Sequence, residues 1–130
     1  SRIDCIRLAG EKAKRWLIMQ NASVLEKYKA YIQSNNITDS FNEYYEYIKN
    51  VLPIKETNLL KQVYEECLRE KIVMSSDGFL PFDDNVEAAQ QYNVKAIANP
   101  GGSVSDEKVF KKCDEYKIIM FKTNKRFFFH

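Results

Sequence analysis

The sequence predicts an α/β fold built on a mostly parallel sheet and preceded by a helical stretch. Two observations carry this. From residue 71 onward, short apolar runs alternate with helical patterns: Ile72–Met74, Val86–Tyr92, Val94–Ala98, a pattern reaching about Tyr116, then Ile118–Thr123. Gly- and Pro-containing loops, Ser76–Asn85 and Asn99–Ser103, divide these runs. A βαβαβ layout of this kind implies parallel strands joined by right-handed crossovers.

Each element has its own local reason. Residues 2–20 read as a helix, because Ile3, Ile6, Ala9, Ala13 and Trp16/Leu17 recur at spacings of three and four. Gly10 interrupts that face, which points to close packing or the end of a turn, since Gly inside a helix costs about 1 kcal/mol against Ala. Ser23 is the expected cap of a helix to about Ser34. Thr38-Asp39-Ser40 would cap another to about Leu52, rich in tyrosine. Thr57 would cap a third, with Leu59, Leu60, Val63, Tyr64 and Cys67 apolar, and Pro53 separates the last two. This stretch, 23–70, carries no visible chemistry and reads as a structural helical insert. Further on, Asp84-Asn85 is expected to cap the helix Val86–Tyr92, and Ser103 or Ser105 the next. The tail is a candidate for one more strand.

Composition bounds the function. The chain has 130 residues, room for one domain, with 20 basic and 18 acidic residues giving a net charge of +2. That balance argues against a nucleic-acid partner. Cys5, Cys67 and Cys113 are widely spaced with no C-x-x-C, so zinc and redox motifs fail on spacing and a reducing cytoplasm is the expected setting. No apolar run approaches the ~18 residues of a membrane span, and no signal-peptide pattern opens the chain. The first residues already follow a helical pattern without a leading Met, so the expectation is a piece of a longer protein.

In open α/β sheets ligands bind beyond the carboxyl ends of the strands. Three loops leave such ends here: 75–84, 99–105 and 124–130. In the first, Phe79, Phe82, Asp83, Asp84 and Asn85 offer ring faces and acids to a flat nitrogenous ligand; the plainer reading is a helix cap and a core lid. In the second, Gly101 and Gly102 permit close backbone approach, with amides aimed at an anionic or carbonyl group; the plainer reading is a strand-to-helix turn. In the third, Lys122, Lys125 and Arg126 suit a phosphate or carboxylate through the planar guanidinium fork; the plainer reading is a solvated basic end. His130 is the sole histidine and the last residue. No Ser-His-Asp set, P-loop, G-x-G-x-x-G or zinc-deaminase signature is present, and no complete set of catalytic groups is visible.

Four blocks, in order, carry a more specific signal: Ser1–Ala13, Ser75–Val86, Pro100–Ser103 and Thr123–Arg126 with the terminal His130. They resemble the C-terminal part of the AICAR transformylase/IMP cyclohydrolase family. The resemblance implies a cytidine-deaminase-like three-layer α/β fold, with helices on both faces of the sheet and no metal. It divides residues 1–130 into a helix at the active site (1–22), a helical insert (23–70) and a βαβαβ unit (71–130). It implies formyl transfer from 10-formyltetrahydrofolate to AICAR. By matching position, Arg2, Phe79 and Arg126 would contact AICAR. Ile3, Pro81, Phe82, Asp84, Asn85, Ser103 and Val104 would contact the folate. The family's catalytic Lys-His pair would lie upstream of Ser1, so this chain by itself would be inactive. The resemblance also implies a homodimer with active sites at the subunit interface. Phe129 and Leu80 depart from the family's pattern. They and the 23–70 insert motivate a competing expectation, a degenerate, non-catalytic binding or scaffold domain of the same fold.

Overall fold

The computed structural model describes residues 1–34, 41–52 and 58–126. In chain order these form α1 (Arg2–Met19), α2 (Ala22–Ser34), α3 (Phe41–Val51), α4 (Asn58–Arg69), β1 (Ile72–Ser75), α5 (Asp84–Gln91), β2 (Val94–Asn99), α6 (Asp106–Glu115) and β3 (Ile119–Lys122). They fall into two compact units, one of Ser1–Gly10 with Glu70–His130 and one of Glu11–Arg69.

In the first unit the three strands run parallel in the order β1-β2-β3. Strands added in one direction by right-handed crossovers place both connecting helices on the same face. α5 and α6 do lie together: Lys112 Nζ sits 3.3 Å from the Glu87 carboxylate. Val86, Ala88 and Ala89 of α5 and Val109 and Cys113 of α6 share one core with Ile97, Leu80, Ile118 and Ile6. The other face carries Val73, Ala96 and Ile119 in one row and Ser75, Ala98 and Phe121 in the next. There Val73 is 78% exposed, Ile119 61% and Phe121 57%. Among the described residues α5 and α6 cover one face of the sheet, and the helices expected on the other face are not seen. A crossover helix on the second face would require a reversal of strand order, and these three strands contain none.

Gly10 shows why a helix interior can prefer no side chain. A Cβ there would collide with the Tyr92 ring at the end of α5. Sharp turns close both crossovers. Asn93 between α5 and β2 and Lys117 between α6 and β3 adopt left-handed backbone, at φ 61° and 56°.

The second unit is helical. Ile18, Val24, Tyr44, Tyr45, Ile48, Leu52, Leu60, Val63 and Cys67 form its core. Rings of Tyr28, Tyr31, Phe41, Tyr44 and Tyr47 pack in sequence, Tyr31 and Tyr47 with centroids 5.1 Å apart. The buried Lys14 donates through Nζ to the Leu68 carbonyl at 2.8 Å, a cation at the carbonyl end of α4 where the helix dipole favours it. The cap of α2 is Asn21 rather than Ser23: its Oδ1 accepts from the Ser23 and Val24 amides at 3.0 and 3.2 Å. Ser23 lies inside the first turn, where its side chain cannot reach those amides. The expected caps at Thr38-Asp39-Ser40 and Thr57, the break at Pro53, the tail strand, Phe129 and His130 lie outside the described residues. Among those described, no helix is long and apolar enough to cross a membrane.

Candidate ligand-binding loops at the carboxyl edge of the sheet

Because all three strands are parallel, the loops that follow them leave one edge of the sheet. The ladder continues one step into two of them: Ser76 N–H donates to Ala98 O and Thr123 N–H to Asn99 O, each at 2.8 Å.

The first loop is held by Arg2, the opening residue of α1. Its Nη1 donates to the Phe79 carbonyl at 2.7 Å and to Ser76 Oγ at 3.4 Å. Ser76 Oγ donates in turn to Gly78 O at 2.7 Å. A Cβ on Gly78 would lie 2.6 Å from Arg2 Nη1, so the guanidinium occupies the space that the glycine leaves. Arg2 and Phe79 are thus brought together, with Phe79 half-buried above Leu80, which is core. Pro81 is half-buried, Phe82 exposed and Asp84 exposed. Two expected site residues face inward instead. Ile3 packs against the core of the sheet unit. Asn85 is 2% exposed, one of an inward stripe with Val86, Ala88 and Ala89. Its Nδ2 donates to Asp84 Oδ1 at 2.8 Å, and its Oδ1 is buried without a hydrogen-bond partner. Asn85 therefore acts on the exposed Asp84 carboxylate. The expected cap at Asp84-Asn85 is also corrected. Asp83 holds the N-cap position with helical backbone and makes no side-chain cap bond, and Asp84 and Asn85 are the first helical residues.

In the second loop Gly101 and Gly102 take φ values of 73° and 96°, which residues with a Cβ rarely adopt. The amides expected to face a ligand are committed within the chain. Gly101 N–H donates to Asn99 Oδ1 at 2.8 Å. Gly102 and Ser103 N–H donate to the two carboxylate oxygens of Asp106 at 2.8 and 3.1 Å. Ser105 N–H donates to Ser103 Oγ at 3.1 Å. Neither serine caps α6 by its side chain: Ser105 stands at the N-cap position without such a bond, and the carboxylate one residue later reaches back to the loop. Ser103 is half-buried and Val104 fully exposed. The Lys122 side chain lies across Gly101 and would collide with a Cβ there.

The third loop begins at Thr123, with Asn124 at φ 57°. Thr123 Oγ1 donates to Lys125 O at 3.2 Å. Lys122, Lys125 and Arg126 are exposed. The strand-end loops and the start of α1 thus carry Arg2, Lys122, Lys125 and Arg126 and the acids Asp77, Asp83 and Asp84. Cavities are also present among the described residues. One of about 420 Å³ in the helical unit is lined by Lys27, Tyr31, Tyr44, Tyr47 and Leu60. One of about 510 Å³ lies beside β3, between Phe110, Asp114, Lys117 and Met120, and reaches the rim at Lys122. Among the described residues no group of three His, Cys, Asp or Glu is placed to hold a metal ion.

Asn99 and Asp106 are the residues that sequence reasoning missed. A usable signal was present: an amide ends the strand just before the glycines, and a carboxylate follows Gly102 by four residues, within reach of their amides.

No protein-family model matches the chain. Curated proteins do. The bifunctional purine biosynthesis protein PurH of Prochlorococcus marinus (strain NATL1A) is 50% identical over 58 residues, 45% of this chain and 11% of that protein. PurH of Lactococcus lactis subsp. cremoris (strain MG1363) is 46% identical over 66 residues, 51% of this chain and 13% of that protein. The matched stretch spans little more than a tenth of the length of these relatives. Identity near one half over some 60 residues bears out the resemblance read from the ordered motifs: about half of this chain is similar to part of the bifunctional purine biosynthesis protein PurH.

Proposed function

We propose that this chain is the C-terminal, ligand-contacting segment of a phosphoribosylaminoimidazolecarboxamide formyltransferase. In this reading it acts in de novo purine biosynthesis, in the cytoplasm, within a homodimer whose active sites form at the subunit interface. The observation that carries the reading is the gathering of Arg2 with three strand-end loops at one edge of the sheet, in a relative of PurH. The chemistry supports it. AICAR brings a phosphate, and the basic groups at the rim, Arg126 above all, suit it. The pterin of 10-formyltetrahydrofolate brings a flat ring and N–H donors. The exposed Phe82 ring and the Asp84 carboxylate suit those, with Asn85 holding Asp84 in place. Arg2, already tied to the Phe79 carbonyl, fixes the shape of the first loop, so Phe79 can present its ring to the nucleotide without further ordering.

This segment binds and orients. Formyl transfer to the weakly basic amine of AICAR requires a base to take its proton. In the proposed enzyme the Lys-His pair of the longer chain supplies it. In the full-length protein, Asp84→Ala and Arg126→Ala should each lower formyl-transfer turnover by about 10- to 100-fold, the worth of a hydrogen bond to a charged group. Wild-type turnover in both variants would refute the assignment and favour a non-catalytic scaffold.

A further inference from the structure

We propose that Asn99 and Asp106 are positioning residues that fix the Gly101–Ser103 loop in its ligand-ready shape before any ligand arrives. The inference rests on the function proposed above. Two adjacent glycines with left-handed backbone form the least self-determined segment of the rim, since Gly populates many conformations when nothing holds it. Here each is held from a different side. Asn99 is 1% exposed, at the last position of β2. Its Oδ1 takes the Gly101 amide, its Nδ2 faces Met120 Sδ at 2.8 Å, and its carbonyl takes the Thr123 amide. One buried side chain and its backbone thereby tie the second loop to β3 and to the start of the third. Asp106 closes the other end, its two oxygens taking the Gly102 and Ser103 amides.

A consequence concerns what the loop can recognise. With the amides of residues 101, 102, 103 and 105 bonded internally, that of Val104 is the one in this stretch with no acceptor among the described residues. The Asp106 carboxylate already fills the place that a ligand anion would take on the Gly102 and Ser103 amides. The Gly102 and Ser103 amides are therefore closed to an anionic part of either substrate, and any anion at the rim is left to its basic side chains, Lys122 across Gly101 among them.

The test pairs amide exchange with kinetics, both on the full-length protein. Asp106→Ala should speed exchange at Gly102 and Ser103 while the β2 amides stay protected, and raise KM for the folate about tenfold, the worth of roughly one lost hydrogen bond to a charged group. KM for the ribotide should be unmoved. Asp106→Asn, which keeps one acceptor oxygen, should recover part of the effect. Glu107→Gln, in the same first turn of α6, should change neither readout. Unchanged exchange, or faster exchange with an unchanged folate KM, overturns the inference while leaving the proposed function standing. A wild-type full-length protein without formyl transfer overturns both, and no variant is needed to see it.

Discussion

At Gly10 the contact is made by what is missing. The Tyr92 ring lies where a Cβ would stand, and its near edge rather than a movable tip makes the approach. Ala at this site gains about 1 kcal/mol of helix propensity but overpacks the ring, a cost of about 1–3 kcal/mol. Gly10→Ala should therefore lower the thermal midpoint, and combining it with Tyr92→Ala should abolish the added penalty. Equal effects of Gly10→Ala with and without Tyr92 would refute the contact. Such details were half readable from sequence. A glycine inside an apolar helical face announces close packing but not its partner, which lies 82 positions away. Capping was less readable. Asn21 and Ser23, or Asp83, Asp84 and Asn85, are equally good caps on paper, and the angle at which the chain enters the helix decides among them. The Gly101–Gly102 loop misled for a related reason: its amides looked open because nothing in a linear reading shows that Asp106 folds back upon them.

The elements themselves were read well, since their hydrophobic periods are unambiguous. Helices fall over 2–19, 22–34, 41–51 and 58–69, and the parallel βαβαβ follows. At this scale the helical unit makes a prediction about alkali. Burial pushes the Tyr44 phenol up to about 12, with Tyr47 and Tyr31 adding to it. Burial, then the Glu11 carboxylate, raises Tyr45 and Tyr64. In the sheet unit, burial and then Asp114 raise the Cys113 thiol to about 11. Each group is held neutral in the fold and ionises more readily in the unfolded chain. The stability they contribute is full below the unfolded values, about 9 for Cys and 10 for Tyr, and is lost as pH rises through the folded ones. The thermal midpoint should thus fall steadily from about pH 9 upward, with the tyrosinate absorbance of Tyr44, Tyr45 and Tyr64 appearing together with unfolding. Tyr44→Phe should flatten that fall, and a midpoint level through this range would contradict the placement of these rings.

For the whole molecule, parallel order made the position of the candidate site readable before any coordinates, because strand-end loops of such a sheet must share an edge. What the pattern could not supply was which side chains at that edge are available. Phe82 and Asp84 are exposed, whereas Asn85 and Ile3 turn inward because they fall on the buried stripes of α5 and α1. Nor could it supply the uncovered second face of the sheet, which follows from strand order rather than from any local run. The proposed function requires this edge to bind a ribotide and a folate together. Calorimetric titration of the full-length protein with AICAR and with a folate analogue tests it most directly. Saturable binding of both is expected, with Arg126→Ala weakening the ribotide and Asp84→Ala weakening the folate analogue. Absence of binding by the wild-type protein, or affinities untouched by either change, would contradict it.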